Sequence, residues 1–197
     1  MKFSRDGSPY AGSTKPTTAG NGALMRLAPV LMYYYPDQDL MIKYSIESAR
    51  VTHGADECLQ ANQLFSQIIW RTFNNNNKES ILFNEFTMES PSEGIQAICN
   101  GDYRSGKVQG TGYVVDSLAA ALWCFYSTDT FKDAILKAAN LGDDADTTAA
   151  ICGQVAGAYY GINSIPNHWL EYLFMFDEII NISNKIYYSA HPMPVNI

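Results

Sequence analysis

Basic charge, paired cysteines and long apolar runs are all scarce in this sequence. Its 197 residues include 13 lysines and arginines against 20 aspartates and glutamates, and the formal net charge of −7 argues against a broad surface for nucleic acid. The four cysteines are widely spaced without a CxxC pair, so we interpret them as small buried residues in a reducing compartment. An anionic ligand must then be held locally, by backbone amides, a helix N-terminus or a metal ion.

The longest uncharged runs are too short to span a membrane. AALWCFY and YLFMF fall well below the roughly 20 apolar residues that a transmembrane helix needs. The opening residues, MKFSRDGSPYAG, also lack the apolar segment of a secretory signal peptide. We therefore expect a soluble, cytoplasmic protein with no membrane partner.

The alternation of apolar and polar residues that marks a β-strand does not recur along the chain, whereas helical spacing does. ADECLQANQLFSQIIWRTF (55–73) places apolar residues on one helical face, and DTFKDAILKAANLG (129–142) begins with the N-cap candidates Asp129 and Thr130. Pro29 must lie near a helix boundary, while residues 1–20 and Asn74–Asn77 favour loops. We predict a single all-helical domain over residues 1–197.

The most distinctive stretch is NLGDDADTTAAICGQVAGAYYG (140–161), which has three aspartates within four residues. One interpretation is an acidic N-cap on a helix that runs to about Tyr160, with Asp143 or Asp144 as the cap. The other is part of a metal site. Asp144 and Thr147 share a helical face and Asp146 lies beside Thr147, and such oxygen ligands suit Mg²⁺, Mn²⁺ or Ca²⁺.

Small residues recur every three or four positions after the aspartates, at Ala149, Gly153, Ala156 or Gly157, and Gly161. A stripe of this kind lets another helix approach closely, so it predicts that this helix lies at the centre of a bundle. Tight packing explains the stripe by itself and is compatible with metal ligands at the start of the same helix.

Four stretches in order resemble the motifs of the ADP-ribosylglycohydrolase family: AGNGALMRLAPV (19–30), THGADE (52–57), GTGYVVDSLAAALW (110–123) and the acidic stretch. The resemblance implies an all-α, orthogonal multi-helix bundle that cleaves the glycosidic bond to ADP-ribose with two Mg²⁺ or Mn²⁺ ions. It implies three metal ligands, Asp144, Asp146 and Thr147, and leaves Asp143 without a ligand role.

The same resemblance implies a binding site for ADP-ribose or an ADP-ribosylated substrate, formed by Gly20, Asn21, Gly22, His53, Gly112 and Tyr113. Glycines in the AGNG loop permit close approach of the backbone to an anion. His53 is equally compatible with a structural role at a helix junction. Arg26 is a candidate partner for a phosphate or a buried acid, and Asp116 is better explained as a cap or a hydrogen-bond partner. No residue is assigned as catalytic.

One part of the family pattern is not found in the sequence. Family members begin with helices that carry a TDDT-like turn, which supplies the other half of the metal site. The STDTF stretch at Ser127–Phe131 stands in the wrong place and is interpreted as a helix cap. We therefore expect the bundle to lack its N-terminal helices, to bind metal weakly, and to expose apolar surface through which the chain could self-associate.

Three functional hypotheses remain open at this point. The chain is a hydrolase that needs an N-terminal piece, a protein that binds ADP-ribose or a nucleotide without cleaving it, or an inactive gene fragment. The first predicts Mg²⁺-dependent release of ADP-ribose once the upstream segment is supplied. The second predicts binding that Asn21→Ala weakens, and the third predicts poor solubility.

Overall fold

A computed structural model describes residues 7–74 and 77–191, and these ranges form ten α-helices and no β-strand. The helices are α1 (Ala28–Tyr34), α2 (Gln38–Arg50), α3 (Asp56–Asn74), α4 (Lys78–Phe83), α5 (Glu93–Cys99), α6 (Val114–Tyr126), α7 (Phe131–Ala139), α8 (Ala145–Tyr160), α9 (Asn167–Tyr172) and α10 (Phe176–Ala190). The all-helical prediction is confirmed. The loops predicted over residues 1–20 and Asn74–Asn77 fall partly outside the described residues.

The helix ends follow local rules that the sequence indicated. Pro29 lies in the first turn of α1, where a missing amide hydrogen costs nothing. Thr130 is the N-cap of α7, and its Oγ1 accepts a hydrogen bond from the amide of Asp133 at 3.0 Å. The STDTF stretch is therefore a helix cap, as predicted.

The core lies around α8, which packs against α3, α6 and α7. The core contains fully buried side chains from these helices, among them Phe65, Phe125, Leu64, Ile68, Leu118 and Ile151. The small-residue stripe faces α7: a Cβ added at Gly153 would lie 3.5 Å from Ile135, and one at Gly157 would lie 3.9 Å from Phe131. The central position predicted for this helix is confirmed.

An apolar groove of about 460 Å³ opens between α1, α3, α8 and α10. Its lining includes Leu31, Ile69, Phe73, Gly157 and Ala158. None of the residues in α9 and α10 is buried. Tyr172, the last residue of α9, is 88% exposed, and Phe174, which lies between the two helices, is 84% exposed. Exposed apolar surface was expected and is present, whereas self-association through it stays a prediction.

Two smaller expectations can be compared with the structure. Cys58, Cys124 and Cys152 are buried and Cys99 is half-buried, and all four are free thiols. Over residues 7–74 and 77–191, the structure contains no helix with the length and apolarity that crossing a membrane requires.

Candidate functional site

The acidic turn connects α7 to α8 and directs one carboxylate into the protein. Gly142 and Asp143 both have left-handed backbone angles, with φ of +77° and +53°, and they turn the chain so that Asp144 takes the N-cap position of α8. The amide of Asp144 donates to the carbonyl oxygen of Gly110 at 2.8 Å. Its carboxylate makes no capping bond to the helix amides, unlike an ordinary N-cap aspartate. The side chain of Asp144 is engaged elsewhere.

Both oxygens of the Asp144 carboxylate accept hydrogen bonds from motif residues. Oδ1 accepts from the Thr147 hydroxyl at 3.0 Å, as the shared helical face predicted, and Oδ2 accepts from Nδ2 of Asn21 at 2.6 Å. Asp146 is exposed, and its Oδ1 accepts from the amide of Thr147 at 2.9 Å. Two carboxylates and one hydroxyl therefore lie on the first turn of α8.

The donor set of this turn fits a divalent cation in type but not in number. Carboxylate and hydroxyl oxygens are the ligands that Mg²⁺ and Mn²⁺ prefer. Within the described part of the chain, however, no three or more His, Cys, Asp or Glu side chains cluster in a way that could hold a metal ion. Asp144, Asp146 and Thr147 therefore stay a predicted, one-sided ligand set.

Asn21 joins the AGNG loop to the acidic turn. It is only 7% exposed, and its Nδ2 donates to Asp144, to the Ser117 hydroxyl at 2.7 Å and to the carbonyl oxygen of Thr111 at 3.3 Å. Its backbone amide donates to the carbonyl oxygen of Gly112 at 3.2 Å. Three motifs thus meet at one amide, and Asn21 lies 90 to 123 positions of sequence from the residues it contacts in the other two.

The AGNG loop also pairs with the start of α6. Gly20 and Tyr113 form an isolated antiparallel bridge, and the amide of Val114 donates to the carbonyl oxygen of Ala19 at 3.0 Å. Sequence reasoning missed Ser117, which supports Asn21 from the next turn of α6. The available signal was a serine in the largely apolar stretch VVDSLAAALW, where burial is expected and a buried hydroxyl needs a partner. Ser117 is indeed fully buried.

His53 lies between α2 and α3 with its ring against the AGNG loop. A Cβ at Gly22 would lie 2.9 Å from Cε1 and 3.0 Å from Nε2 of His53, so Gly22 leaves room for this ring. His53 occupies the helix junction of the structural interpretation and touches the predicted binding loop, and its contact with a ligand stays a prediction. Burial, together with the charge of Arg26, lowers the pKa of the imidazole below its ordinary value.

Among the described residues, Arg26 pairs with no buried acid. Its Nη2 donates to the Thr52 hydroxyl at 2.7 Å, and its Nε donates to the carbonyl oxygen of Gly22 at 3.3 Å. Asp116, in the first turn of α6, accepts from the Thr111 hydroxyl at 2.9 Å and is a hydrogen-bond partner, as predicted. Arg26 thus supports the THGADE segment, a contact that the sequence did not predict.

A cavity of about 420 Å³ borders the paired loops and is lined by Pro16, Thr17, Thr18, Ala19, Gly20, Gly112 and Tyr113. Tyr113 is 38% exposed, and its hydroxyl donates to Oε2 of Glu57 at 2.6 Å. Partial burial and the bond to this carboxylate raise the pKa of the phenol above its ordinary value. Glu57 was not predicted, and it holds the tyrosine ring at the rim of this cavity.

The motif resemblance implied an all-helical bundle. In the structure, the AGNG loop, the loop before α6 and the acidic turn before α8 meet within such a bundle. The model of the ADP-ribosylglycohydrolase family matches residues 2–193. The chain therefore belongs to the ADP-ribosylglycohydrolase family, which confirms the resemblance.

Individual relatives are similar over most of this chain. ADP-ribosylarginine hydrolase Tri1 of Serratia proteamaculans (strain 568) is 36% identical over 192 residues, which cover 96% of this chain and 52% of that protein. ADP-ribosyl-[dinitrogen reductase] glycohydrolase of Rhodospirillum rubrum is 29% identical over 157 residues, covering 80% and 51%. The chain spans about half the length of these curated relatives.

A solved structure gives the same result for the fold. The structure described as an ADP-ribosylglycohydrolase-related protein complex has a TM-score of 0.88 and 35% sequence identity. The match covers 96% of this chain and 66% of that one. The bundle described above is thus an ADP-ribosylglycohydrolase fold over nearly its whole length.

Proposed function

We propose that this chain takes part in the hydrolytic removal of ADP-ribose from a modified protein or small molecule. The observation that carries the proposal is the 2.6 Å contact between Asn21 and Asp144, which brings the predicted substrate loop to the predicted metal ligands. The relative from Serratia is named an ADP-ribosylarginine hydrolase, so an arginine linkage is the first substrate to test.

The proposed reaction joins a water oxygen to the anomeric carbon of the ribose. The bond from that carbon to the guanidino nitrogen breaks, and one proton passes from the water to that nitrogen. Mg²⁺ or Mn²⁺, when bound, would supply polarisation of oxygen atoms and activation of water. Asp144, Asp146 and Thr147 would contribute three oxygen ligands, and a two-ion site would require further ligands.

The chain's own groups have binding and orienting roles in this proposal. The cavity beside Gly20, Gly112 and Tyr113 would take the nucleotide end of ADP-ribose, with the tyrosine ring as a stacking face. Asn21 would fix the loop in register with Asp144, so that a ribose bound at the loop lies beside the acidic turn. Orientation of this kind is a large part of what a hydrolase contributes to its reaction.

A matched pair of neighbouring variants tests the proposal. Asp144→Asn removes a predicted ligand, whereas Asp143→Asn changes an exposed aspartate with no ligand role, and asparagine tolerates the left-handed backbone there. With a segment that supplies the further metal ligands added to the assay, we expect Mg²⁺-dependent release of ADP-ribose from an ADP-ribosylated arginine peptide to fall at least about a hundredfold for Asp144→Asn and to stay unchanged for Asp143→Asn. Equal activity in both variants would refute the assignment.

Binding of ADP-ribose without cleavage is the second candidate function. The observation that favours it is the incomplete ligand set within residues 7–74 and 77–191. It predicts heat on titration of ADP-ribose into the chain, a weaker signal for Asn21→Ala, and no release of ADP-ribose from the peptide. A folded chain that shows no heat would exclude both functions.

A further inference from the structure

A continuous chain of hydrogen bonds runs from Arg26 through Thr52 to His53. Nη2 of Arg26 lies 2.7 Å from the Thr52 hydroxyl oxygen, and that oxygen lies 2.7 Å from Nδ1 of His53. All three side chains belong to the motifs of the resemblance; His53 was predicted to contact the ligand, and Arg26 was a candidate partner for a phosphate. The direction of each bond determines which nitrogen of His53 carries a hydrogen.

The guanidinium group fixes the direction of the first bond and thereby favours one direction for the second. Arginine can only donate, so the Thr52 oxygen accepts from Arg26, and the single hydroxyl hydrogen of Thr52 is then free to point at Nδ1 of His53. In the opposite direction the hydroxyl oxygen would use both lone pairs to accept from Arg26 and from Nδ1 of His53, and its hydrogen would turn away from these two residues. The first arrangement pairs the hydroxyl hydrogen with Nδ1, and it leaves Nδ1 without a hydrogen.

The other ring nitrogen faces the AGNG loop. A Cβ at Gly20 would lie 3.6 Å from Nε2 of His53, and one at Gly22 would lie 3.0 Å from it. Among the described residues Nε2 has no hydrogen-bond partner, although the ring is half-buried. A neutral imidazole whose Nδ1 accepts a hydrogen bond carries its hydrogen on Nε2.

We propose that Thr52 and Arg26 are positioning residues that hold His53 in the neutral tautomer with hydrogen on Nε2, so that it donates to an oxygen of ADP-ribose at the AGNG loop. The lowered pKa of His53 agrees with a neutral ring. The ligand contact rests on the proposed function, whereas the tautomer does not. Arg26 thus acts on the ligand through Thr52 and His53, not by direct contact with a phosphate.

Nitrogen NMR of the histidine rings can test the tautomer directly. The chain has three histidines, His53, His168 and His191, so the ring spectrum of the ¹⁵N-labelled chain is simple, and His53→Gln identifies the signal of interest. At neutral pH we expect His53 to show a protonated Nε2 and an unprotonated Nδ1. Thr52→Val should convert this pattern to a mixture of tautomers, and the matched variant Thr52→Ser should preserve it.

The same variants test the ligand contact. Because Thr52 is exposed, neither substitution should alter unfolding by denaturant. We expect Thr52→Val to weaken ADP-ribose binding roughly three- to tenfold, the effect of one misplaced hydrogen bond, and Thr52→Ser to restore it. A wild-type ring with hydrogen on Nδ1 or with charge, or a Thr52→Val ring identical to wild type, would overturn the proposal. The expected tautomer in a chain that does not bind ADP-ribose would instead count against the proposed function.

Discussion

Replacing Asn21 by aspartate should convert the contact that joins the AGNG loop to the acidic turn into a repulsive one. Nδ2 of Asn21 lies 2.6 Å from Oδ2 of Asp144 and 2.7 Å from the Ser117 hydroxyl, in a position only 7% exposed. Aspartate has nearly the same shape as asparagine but donates no hydrogen bond when ionised. The variant therefore places two carboxylates face to face without changing the packing.

The expected size of the effect follows from these contacts. Asn21→Ala removes a donor to a charged group and should lower the free energy of unfolding by about 1.5–3 kcal/mol. Asn21→Asp adds repulsion at a largely buried site and should lower it by about 3–5 kcal/mol at pH 7. Below about pH 4 the two variants should converge, because a proton shared between the carboxylates restores a donor.

Urea denaturation of both variants at neutral and acidic pH measures these differences, and a double variant supplies the control. Asn21→Asp combined with Asp144→Asn exchanges the amide and the carboxylate, so it should recover much of the stability that Asn21→Asp loses. The reasoning is refuted if Asn21→Asp is no less stable than Asn21→Ala at pH 7. It also fails if the exchange brings no recovery.

Three further changes test other contacts. Nε2 of Gln154 donates to two carbonyl oxygens of residues 24 and 25, at 3.1 Å each, so Gln154→Glu should lower the free energy of unfolding by about 2 kcal/mol in urea, and equal stability would contradict this. The buried hydroxyl of Thr148 has no partner within the described residues, so Thr148→Val should leave the melting temperature unchanged or raise it. Nζ of Lys78 donates to the carbonyl oxygens of Phe125, in the last turn of α6, and of Thr128, just after the helix, and burial lowers its pKa. As the pH rises, Lys78 therefore loses its proton at a lower pH in the folded chain than in the unfolded chain. The free energy of unfolding of wild type, relative to that of Lys78→Met, should then rise between neutral pH and about pH 10, and urea denaturation at each pH would measure it.

The parts of the site that sequence reasoning predicted are those set by local physics. Helical spacing and capping preference placed Asp144 at the start of α8 and Thr147 on the same face, and the structure agrees. The small-residue stripe likewise indicated a central helix. Each of these inferences depends on residues within a few turns of one another, where spacing determines geometry.

The contacts that were not predicted all join distant segments. Asn21 reaches Asp144 across 123 positions of sequence, Tyr113 reaches Glu57 across 56, and Arg26 reaches Thr52 across 26. Which side chains meet in such pairs depends on how helices cross, and hydrophobic periodicity does not encode that angle. Arg26 illustrates the difference, because its charge suggested an acidic partner and the bundle placed a threonine hydroxyl beside it.

The side-chain amide nitrogen of Asn21 lies near one more acceptor oxygen than it has hydrogens to donate. Its two hydrogens face three oxygens, on Asp144, Ser117 and Thr111, so these oxygens compete for them. A group that binds the Asp144 carboxylate would free a hydrogen of Asn21 to bond to the carbonyl oxygen of Thr111. A group that displaces the loop carrying Thr111 would in turn alter the hydrogen bond between Asn21 and Asp144. Binding of any group to the Asp144 carboxylate and the position of the loop that carries Thr111 would therefore be thermodynamically linked, and linkage of this kind acts equally in both directions.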